Sequence, residues 1–346
     1  CISNDPSFEL NPKLGRSINL DAFTPLVEIA QKNLIKRFIY ASTSSVYGIK
    51  KEKDVDETMS PEPLTDYSKY KVDCEIILKK YVSENFTPII IRPATVCGYS
   101  PRQRLDVVVN ILTNLAYHKR SVSVFGGKQL RPNIHINDMA KAYEALIDAP
   151  KSKVSGEIFN VGFENRSVLD LANTVKKVIG SDVSLKLSPT NDNRSYHISS
   201  KKIKRVLSFE PINTISDAVN DLILAFKKGL LPNSLTDEKY FNIKRMTSMR
   251  LNTLLLSSAI LISACTAETV GVDSTSQMSL PDPATVPFAQ DASDLQMDED
   301  ILYGQLPNGV RYAVMSNDTP SKTASLLMRF DAGSLDETDE TRGIAH

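Results

Sequence analysis

Two short apolar runs, each preceded by a helical pattern, constrain the fold most strongly. The segments RFIYAS (37–42) and PIIIRP (88–93) have the length and composition of buried parallel strands. Apolar residues at helical spacing predict helices over 17–34 and 67–82, the second capped by Asp66. Because helices and strands alternate, the strands are expected to pair in parallel through crossover helices, which predicts an α/β sheet.

Beyond residue 100 the elements become shorter and mixed in type. The predicted helices span 104–118, 137–149, 167–180 and 214–228, and the predicted strands span 122–125, 134–136 and 156–162. Ser167 is placed to cap one of these helices and Gly180 to end it. Residues 101–232 are therefore predicted to form a smaller lobe beside the sheet.

The charge balance and the cysteines exclude several classes of partner. Lysine plus arginine and aspartate plus glutamate number 41 each, so net charge gives no attraction to nucleic acid or to an anionic membrane. The four cysteines lie far apart with no histidine at metal-ligand spacing, so no metal site and a reducing compartment are predicted. Cys74 and Cys97 are predicted to be buried thiols, and His135 is predicted to be structural rather than catalytic.

The last hundred residues have a different character. Residues 246–265 contain MRLNTLLLSSAILISAC (249–265), which has the layout of a bacterial lipoprotein signal ending at Cys265. The apolar run is too short for a comfortable membrane span, and a buried apolar hairpin is the alternative. Contact with a membrane is expected only if this segment acts as such a signal.

Two further segments complete the chain. Residues 266–298 are rich in Ser, Thr, Asp and Pro and are predicted to be a disordered tether. Residues 299–346 are predicted to be a short α+β fragment, with Asn308 and Gly309 forming a turn between strands.

The pattern Tyr-x-x-x-Lys occurs three times, and its surroundings favour one occurrence as a catalytic pair. The three are Tyr47 with Lys51, Tyr67 with Lys71, and Tyr240 with Lys244. Tyr67 begins a predicted helix, so Tyr67 and Lys71 lie on one face about one turn apart. Thr43 follows the strand over 37–42, where open α/β sheets bind ligands. These three side chains are expected to meet in one crevice, although a solvated helix face is the alternative for the Tyr–Lys pair.

The chemistry of such a set is proton removal from a hydroxyl. A free tyrosine has a pKa of about 10, and a nearby ammonium is expected to lower it. A phenolate of lowered pKa can take the proton while hydride leaves the same carbon.

Five motifs resemble the extended short-chain dehydrogenase/reductase family, the nucleotide-sugar epimerases and dehydratases. They are FIYASTSSVYG, YSKYK, IIIRPATVCG, QLRPNIHINDMAKAY and IFNVG, and the resemblance runs from residue 1 to about 228. It implies that residues 1–100 form the C-terminal half of a Rossmann-like NAD-binding domain, and that 101–232 form the substrate lobe. It also implies a nucleotide-sugar substrate, NAD or NADP as cofactor, and a cytoplasmic location for residues 1–232.

The resemblance implies a role for nine residues. The catalytic set is Thr43, Tyr67 and Lys71; the cofactor contacts are Ser42, Tyr67, Lys71 and Pro93; and the substrate contacts are Asn19, Ser44, Arg131 and Arg194. The two arginines would grip the nucleotide diphosphate, because a guanidinium pairs well with phosphate oxygens. The family also implies a candidate homodimer through the helices over 17–34 and 67–82.

The sequence departs from the family pattern in two places. Dehydratases of the family resemble TDEVYG, whereas this chain has TSSVYG with Ser44 and Ser45 at the acid positions, which favours epimerisation or oxidoreduction over loss of water. No Gly-x-x-Gly-x-x-Gly loop for the cofactor pyrophosphate occurs, so the first half of the domain is expected to be missing. An incomplete parallel sheet with an unpaired apolar edge at 37–42 and weak NAD binding are therefore predicted.

A second resemblance concerns the end of the chain. Residues 306–346 resemble the opening strands of pitrilysin/insulinase-type zinc peptidases, in which GIAH leads into His-x-x-Glu-His. His346 would be the first ligand, but a single histidine makes no zinc site. The alternative function is an exported lipoprotein metallopeptidase represented by residues 246–346, joined to the first part by natural fusion or by artefact.

Overall fold

The structure is a computed structural model that covers most of the first 247 residues. It describes residues 2–190 and 194–247, and the backbone of 301–305 and 311–315. The chain divides into two units, residues 1–262 and 263–346. The predicted lipoprotein signal and tether lie outside the described residues. Among the helices that the structure describes, none combines the length and apolar character that crossing a membrane requires.

The first unit contains ten α-helices and eight β-strands among its described residues. The helices are α1 (Asp5–Leu10), α2 (Pro12–Arg16), α3 (Phe23–Lys32), α4 (Asp66–Lys79), α5 (Val108–Lys119), α6 (Ile136–Asp148), α7 (Lys151–Val154), α8 (Val168–Ile179), α9 (Lys201–Leu207) and α10 (Ile215–Lys227). The strands are β1 (Arg37–Ala41), β2 (Thr87–Pro93), β3 (Thr95–Cys97), β4 (Ser121–Phe125), β5 (Leu130–His135), β6 (Ile158–Val161), β7 (Glu164–Ser167) and β8 (Ser184–Ser188). A π-helical turn spans Ser17–Asp21, and 3-10 turns span Ser44–Tyr47 and Glu238–Tyr240.

The central sheet confirms the predicted parallel α/β architecture. Its strand order is β1-β2-β6, and both pairings are parallel. Successive residues of β2 point to opposite faces, so Ile90 packs with Phe23 and Leu78 on the α3–α4 side, whereas Ile89 and Ile91 pack into the α6 side. The sheet therefore carries helices on both faces, as buried parallel strands require.

β1 lies at the edge of this sheet. Its one strand partner among the described residues is β2, in the register Arg37 to Thr87 through Ala41 to Ile91. The prediction of a buried strand is wrong for residues 37–41, which are half-buried or exposed, because one side of the strand lacks a neighbour among the described residues. The predicted apolar edge is present in the part of the chain that the structure describes.

The segment predicted as the smaller lobe contributes to two further sheets, which include parallel and antiparallel pairings. Their strand orders are β3-β5-β7 and β4-β8, and α5, α8 and α10 pack around a core that includes Leu112, Leu171 and Val219. Ser167 caps α8 by accepting a hydrogen bond from the Asp170 N–H, and Gly180 ends the helix, which confirms both predictions.

Several element predictions are wrong in detail. The helix over 17–34 is interrupted, because a π-helical turn precedes α3. Thr65, not Asp66, caps α4, since its side chain accepts from the Ser68 N–H. Strands β3, β7 and β8 and helix α9 were not predicted, because they are short and, in β7, largely polar.

The second unit is described only as a strand pair. β9 (Ile301–Gln305) and β10 (Arg311–Met315) pair antiparallel, which agrees with a strand-turn pattern in this region. The predicted turn at Asn308 and Gly309 and the predicted ligand His346 lie outside the described residues.

Candidate active site

A cavity of about 510 Å³ lies at the carboxyl ends of β1 and β2. Seven of the nine predicted site residues line it: Ser42, Thr43, Ser44, Tyr67, Pro93, Arg131 and Arg194. The carboxyl edge of a parallel sheet is where open α/β folds bind ligands, so the position agrees with the predicted site.

Thr43 and Tyr67 meet at this cavity. Thr43 caps the 3-10 turn, where its Oγ1 accepts from the Ser45 N–H at 3.2 Å. Tyr67 lies in the first turn of α4 and is only 8% exposed. Both side chains line the cavity, and the interaction of Thr43 with the phenol lowers the pKa of Tyr67.

Local chain geometry fixes the turn that carries Thr43. Gly48 ends the turn with φ of 65°, a conformation that L side chains rarely adopt, and a Cβ there would collide with the Glu62 carbonyl oxygen. The Ser45 hydroxyl lies 2.7 Å from that of Ser68 on α4 and 3.0 Å from Thr43 Oγ1. The hydroxyls therefore form a chain that ties the turn to the start of α4.

Lys71 lies behind the tyrosine rather than on the cavity wall. Its Nζ donates to the Ala41 carbonyl at 2.8 Å and stands 5.8 Å from the centre of the Tyr67 ring and 4.9 Å from that of Tyr40. Burial lowers the pKa of Lys71, while Cys74 and Glu75 raise it. The lysine joins α4 to the end of β1, one helical turn beyond Tyr67.

The electrostatics of Tyr67 differ from the prediction. The pKa of this phenol is raised rather than lowered, first by burial and then by the charge of Asp5. Arg104 and the hydrogen bond with Thr43 lower the pKa but do not offset burial. The prediction of a lowered pKa considered only the nearby ammonium. It did not include the burial of the Tyr67 phenol, because residue spacing in the sequence does not reveal burial.

Two arginines share the wall of the cavity. Arg131, at the start of β5, donates from Nη1 to the Leu130 carbonyl at 2.9 Å and also to the carbonyl of Arg194. The Arg194 guanidinium lies 3.5 Å from Asp5 in an ion pair. The Arg131 guanidinium also lies 5.8 Å from the centre of the Tyr196 ring. The cavity thus has positive charge that could face an anionic ligand.

Asn19 is not brought into the cavity. Its side-chain amide donates to the Ile2 carbonyl at 2.8 Å, and its Oδ1 accepts from the Ile2 N–H at 2.9 Å. Its own carbonyl accepts from the Cys74 thiol at 3.2 Å. The side chain therefore anchors the start of the described chain against the π-helical turn.

Sequence reasoning missed two charged residues of the site. Asp5 begins α1, receives a hydrogen bond from the Thr65 hydroxyl and pairs with Arg194. Arg104 pairs with Asp106 at 2.9 Å and lowers the pKa of Tyr67. Both lie in a loop or a short helix without a periodic pattern. Their charge was the one signal in the sequence that could have identified them.

The prediction that Cys74 and Cys97 are buried thiols is confirmed. Cys74 and Cys97 are free and buried, and burial raises the pKa of the first thiol to about 11 and of the second to about 12. His135 caps α6 through Nδ1 and lies 3.1 Å from Asp221 through Nε2, which is a structural arrangement. Within the described residues, no group of three or more His, Cys, Asp or Glu side chains is placed to hold a metal ion.

The fold and the cavity together define a Rossmann-like α/β protein with a hydroxyl, a phenol and an ammonium at the carboxyl edge of its sheet. The model of the NAD dependent epimerase/dehydratase family matches residues 3–162. This part of the chain is therefore similar to the nucleotide-sugar epimerases and dehydratases of that family.

Individual relatives agree with this assignment. An uncharacterised UDP-glucose epimerase of Bacillus subtilis is 32% identical over 212 residues, which cover 59% of this chain and 65% of that protein. The dTDP-D-glucose 4,6-dehydratase of Bos taurus is 30% identical over 200 residues, which cover 54% of each. The chain thus spans between about half and two thirds of the length of these relatives.

Solved structures show the same fold. The UDP-glucose 4-epimerase of Thermotoga maritima superposes with a TM-score of 0.60 at 24% identity, covering 66% of this chain and 76% of that one. The UDP-glucuronic acid 4-epimerase of Bacillus cereus, solved with UDP-glucuronic acid and NAD, gives 0.54 at 27% identity, covering 61% and 67%.

Proposed function

We propose that the cavity binds a nucleotide sugar and that the chain belongs to an NAD- or NADP-dependent epimerase or oxidoreductase acting at a sugar carbon. The observation that carries the proposal is that Thr43, Tyr67, Arg131 and Arg194 all line one cavity. Relatives named for UDP-glucose and dTDP-D-glucose support a nucleoside diphosphate sugar as the substrate class.

The arginines suit the diphosphate part of such a substrate. A guanidinium presents a planar fork of donors that pairs with two phosphate oxygens at once. In the ligand-free chain Arg194 pairs with Asp5, so a diphosphate would compete with this carboxylate for the guanidinium. Arg131 is held at the cavity wall by two carbonyl oxygens, and its guanidinium would approach the same diphosphate.

The residues fit the reacting end of a nicotinamide cofactor. Tyr67, Ser42 and Pro93 line the cavity, and Lys71 lies directly behind the Tyr67 ring. When bound there, such a cofactor supplies the hydride acceptor. For the diphosphate end, the 346 residues contain no glycine-rich loop, so we infer that this polypeptide holds the cofactor weakly.

Side chains of the protein would hold and accept the proton of the sugar hydroxyl. Thr43 would hold the sugar hydroxyl and share its proton, and the Tyr67 oxygen would accept that proton as the carbon is oxidised. The ammonium of Lys71 contributes a positive charge that favours the phenolate. Ser44 and Ser45 supply no carboxylate, which favours epimerisation or simple oxidoreduction over elimination of water.

We also infer a cytoplasmic location for residues 1–232. Two buried free thiols, Cys74 and Cys97, are compatible with a reducing compartment. Recovery of the chain in the membrane fraction of the producing cell would contradict this inference. The metallopeptidase alternative rests on residues that lie largely outside the described part of the chain, and no contact or charge in the described part favours it.

Calorimetric titration with UDP-glucose and dTDP-glucose tests the proposed substrate class. We expect Arg131→Ala to weaken binding about tenfold to a hundredfold, because a hydrogen bond to a charged group contributes about 1.5–3 kcal/mol. Arg166→Ala is the matched control, since Arg166 opposes Arg131 across the β5–β7 pair but does not line the cavity. Equal binding by both variants, or no binding of either sugar nucleotide, would contradict the proposal.

A further inference from the structure

A buried ion pair stands behind the cavity wall, and the proposed reaction does not use it. Arg92 donates from Nε to Glu75 Oε1 at 3.0 Å and from Nη2 to Oε2 at 2.6 Å. The two side chains are only 3% and 4% exposed. Burying two charges costs desolvation free energy that apolar side chains would not cost. A contribution to the stability of the fold therefore does not by itself explain why this ion pair is present.

The pair joins three segments that supply the site. Ser42, which lines the cavity next to Thr43, donates its hydroxyl proton to Glu75 Oε1. Glu75 lies on α4 two turns beyond Tyr67, on the same face of the helix. Arg92 directly precedes Pro93, and Pro93 lines the cavity. The end of β1, the start of α4 and the end of β2 therefore converge on this ion pair.

The same pair also holds the far end of the turn that carries Thr43. The guanidinium of Arg92 lies 4.7 Å from the centre of the Tyr47 ring, in position for a cation–π contact. Tyr47 is the last residue of the 3-10 turn, and its hydroxyl donates to Asn160 Oδ1 on β6 at 2.8 Å. The turn is thus fixed by Glu75 before Thr43 and by Arg92 after it.

We propose that Glu75 and Arg92 form a positioning pair, which holds the Thr43 turn against α4 so that the Thr43 hydroxyl stays on the cavity wall that Tyr67 also lines. Neither residue lines the cavity, so neither contacts a substrate there. The inference rests on the proposed function only in naming Thr43 and Tyr67 as the reacting groups. The positional claim itself concerns the folded chain without any ligand.

A double variant separates positioning from simple stabilisation. Glu75→Leu alone leaves the buried guanidinium of Arg92 without its carboxylate and is expected to destabilise the fold. Combining it with Arg92→Met removes both charges, so resistance to urea should return toward that of the parent chain. A purely structural pair predicts that the geometry of the turn returns as well.

Amide hydrogen exchange measured by NMR reports that geometry. The Ser45 N–H donates to Thr43 Oγ1, so its exchange rate follows the position of the Thr43 side chain. The Ile90 N–H, which donates to the Glu157 carbonyl in the central sheet, is the internal reference. In the double variant we expect exchange at Ser45 to be roughly threefold to tenfold faster, the effect of losing one ordinary hydrogen bond, with Ile90 unchanged.

Unchanged exchange at Ser45 in a double variant that resists urea like the parent chain would overturn the proposal. Ser42→Ala provides an independent test if the double variant does not fold, since it cuts the link to Glu75 without removing either charge. Faster exchange at Ser45 in Ser42→Ala supports the proposal, and unchanged exchange overturns it. Because the readout needs neither sugar nor cofactor, it can fail while the titration with UDP-glucose succeeds, and the reverse also holds.

Discussion

The protonation of Tyr67 connects the geometry of the cavity to its proposed chemistry. Burial and the charge of Asp5 raise the pKa of the phenol, whereas Arg104 and the hydrogen bond with Thr43 lower it. A base acts only in its deprotonated form, so a raised pKa means that the active form becomes more abundant as pH rises. The rate of the proposed reaction should therefore increase with pH across the neutral range.

We expect this pH dependence to shift when Thr43 loses its hydroxyl. With NAD in large excess to offset weak binding, Thr43→Val should move the rising limb of UDP-glucose conversion about half to one pH unit higher, since one hydrogen bond that lowers the pKa is removed. Thr43→Ser keeps the hydroxyl and should keep the profile. Tyr67→Phe should reduce the rate by roughly a hundredfold or more, whereas Tyr70→Phe on the same helix should not. A profile that Thr43→Val leaves in place would refute this account of the phenol.

The placement of Thr43 and Tyr67 on one cavity wall could be predicted from sequence, but the electrostatics of the phenol could not. Strand ends and helix starts follow from local patterns, and the parallel sheet then brings the two residues together. Burial of the phenol depends on packing against α1. Asp5 raises the pKa of Tyr67 although the two residues are far apart in sequence, and no local pattern predicts this interaction.

At the scale of elements, helix α4 shows why apolar periodicity misleads near a site. Apolar spacing alone places Ile76 toward a core, but its side chain is 54% exposed, while Tyr67, Lys71 and Glu75 are buried. The buried face is polar because it supplies the site and the ion pair behind it. Helix α8, which carries no site residue, follows the usual amphipathic rule and was predicted almost to the residue.

The predicted homodimer can be tested through the exposed apolar side chains of α3 and α4. Leu26 and Ile29 on α3 are 52% and 58% exposed, similar to Ile76. We expect Ile76→Asp to shift the chain toward monomer in sedimentation equilibrium, because a charge would be buried between copies. Ile147→Asp on α6, where the native side chain is 56% exposed, should leave the association state unchanged. A parent chain that is already monomeric at high concentration would contradict the prediction.

At the scale of the molecule, the central sheet of the described residues has three strands and one apolar edge at β1. The order of helices and strands predicted the parallel sheet, because crossover connections leave little choice of topology. The three added strands of the smaller lobe could not be predicted in the same way. Their pairing depends on partners far along the chain, as in β4 with β8 and β5 with β7.

The absence of a glycine-rich loop from the 346 residues leads to a prediction about the cofactor. A helix N-terminus with such a loop provides the backbone donors for a pyrophosphate, and the proposed cofactor site lacks that contribution. We expect fluorescence titration of the chain with NADH to show weak binding that does not reach saturation. Tight binding, lost on Lys71→Met, would mean that other residues replace the loop.

The central claim is that one cavity holds a nucleotide sugar with its reacting carbon beside Thr43 and Tyr67. The most direct test is a crystal structure of the chain grown with UDP-glucose. The account predicts the diphosphate on Arg131 and Arg194 and a sugar hydroxyl within hydrogen-bond distance of the Tyr67 oxygen. A sugar nucleotide bound elsewhere, or bound with its hexose directed away from Tyr67, would contradict it.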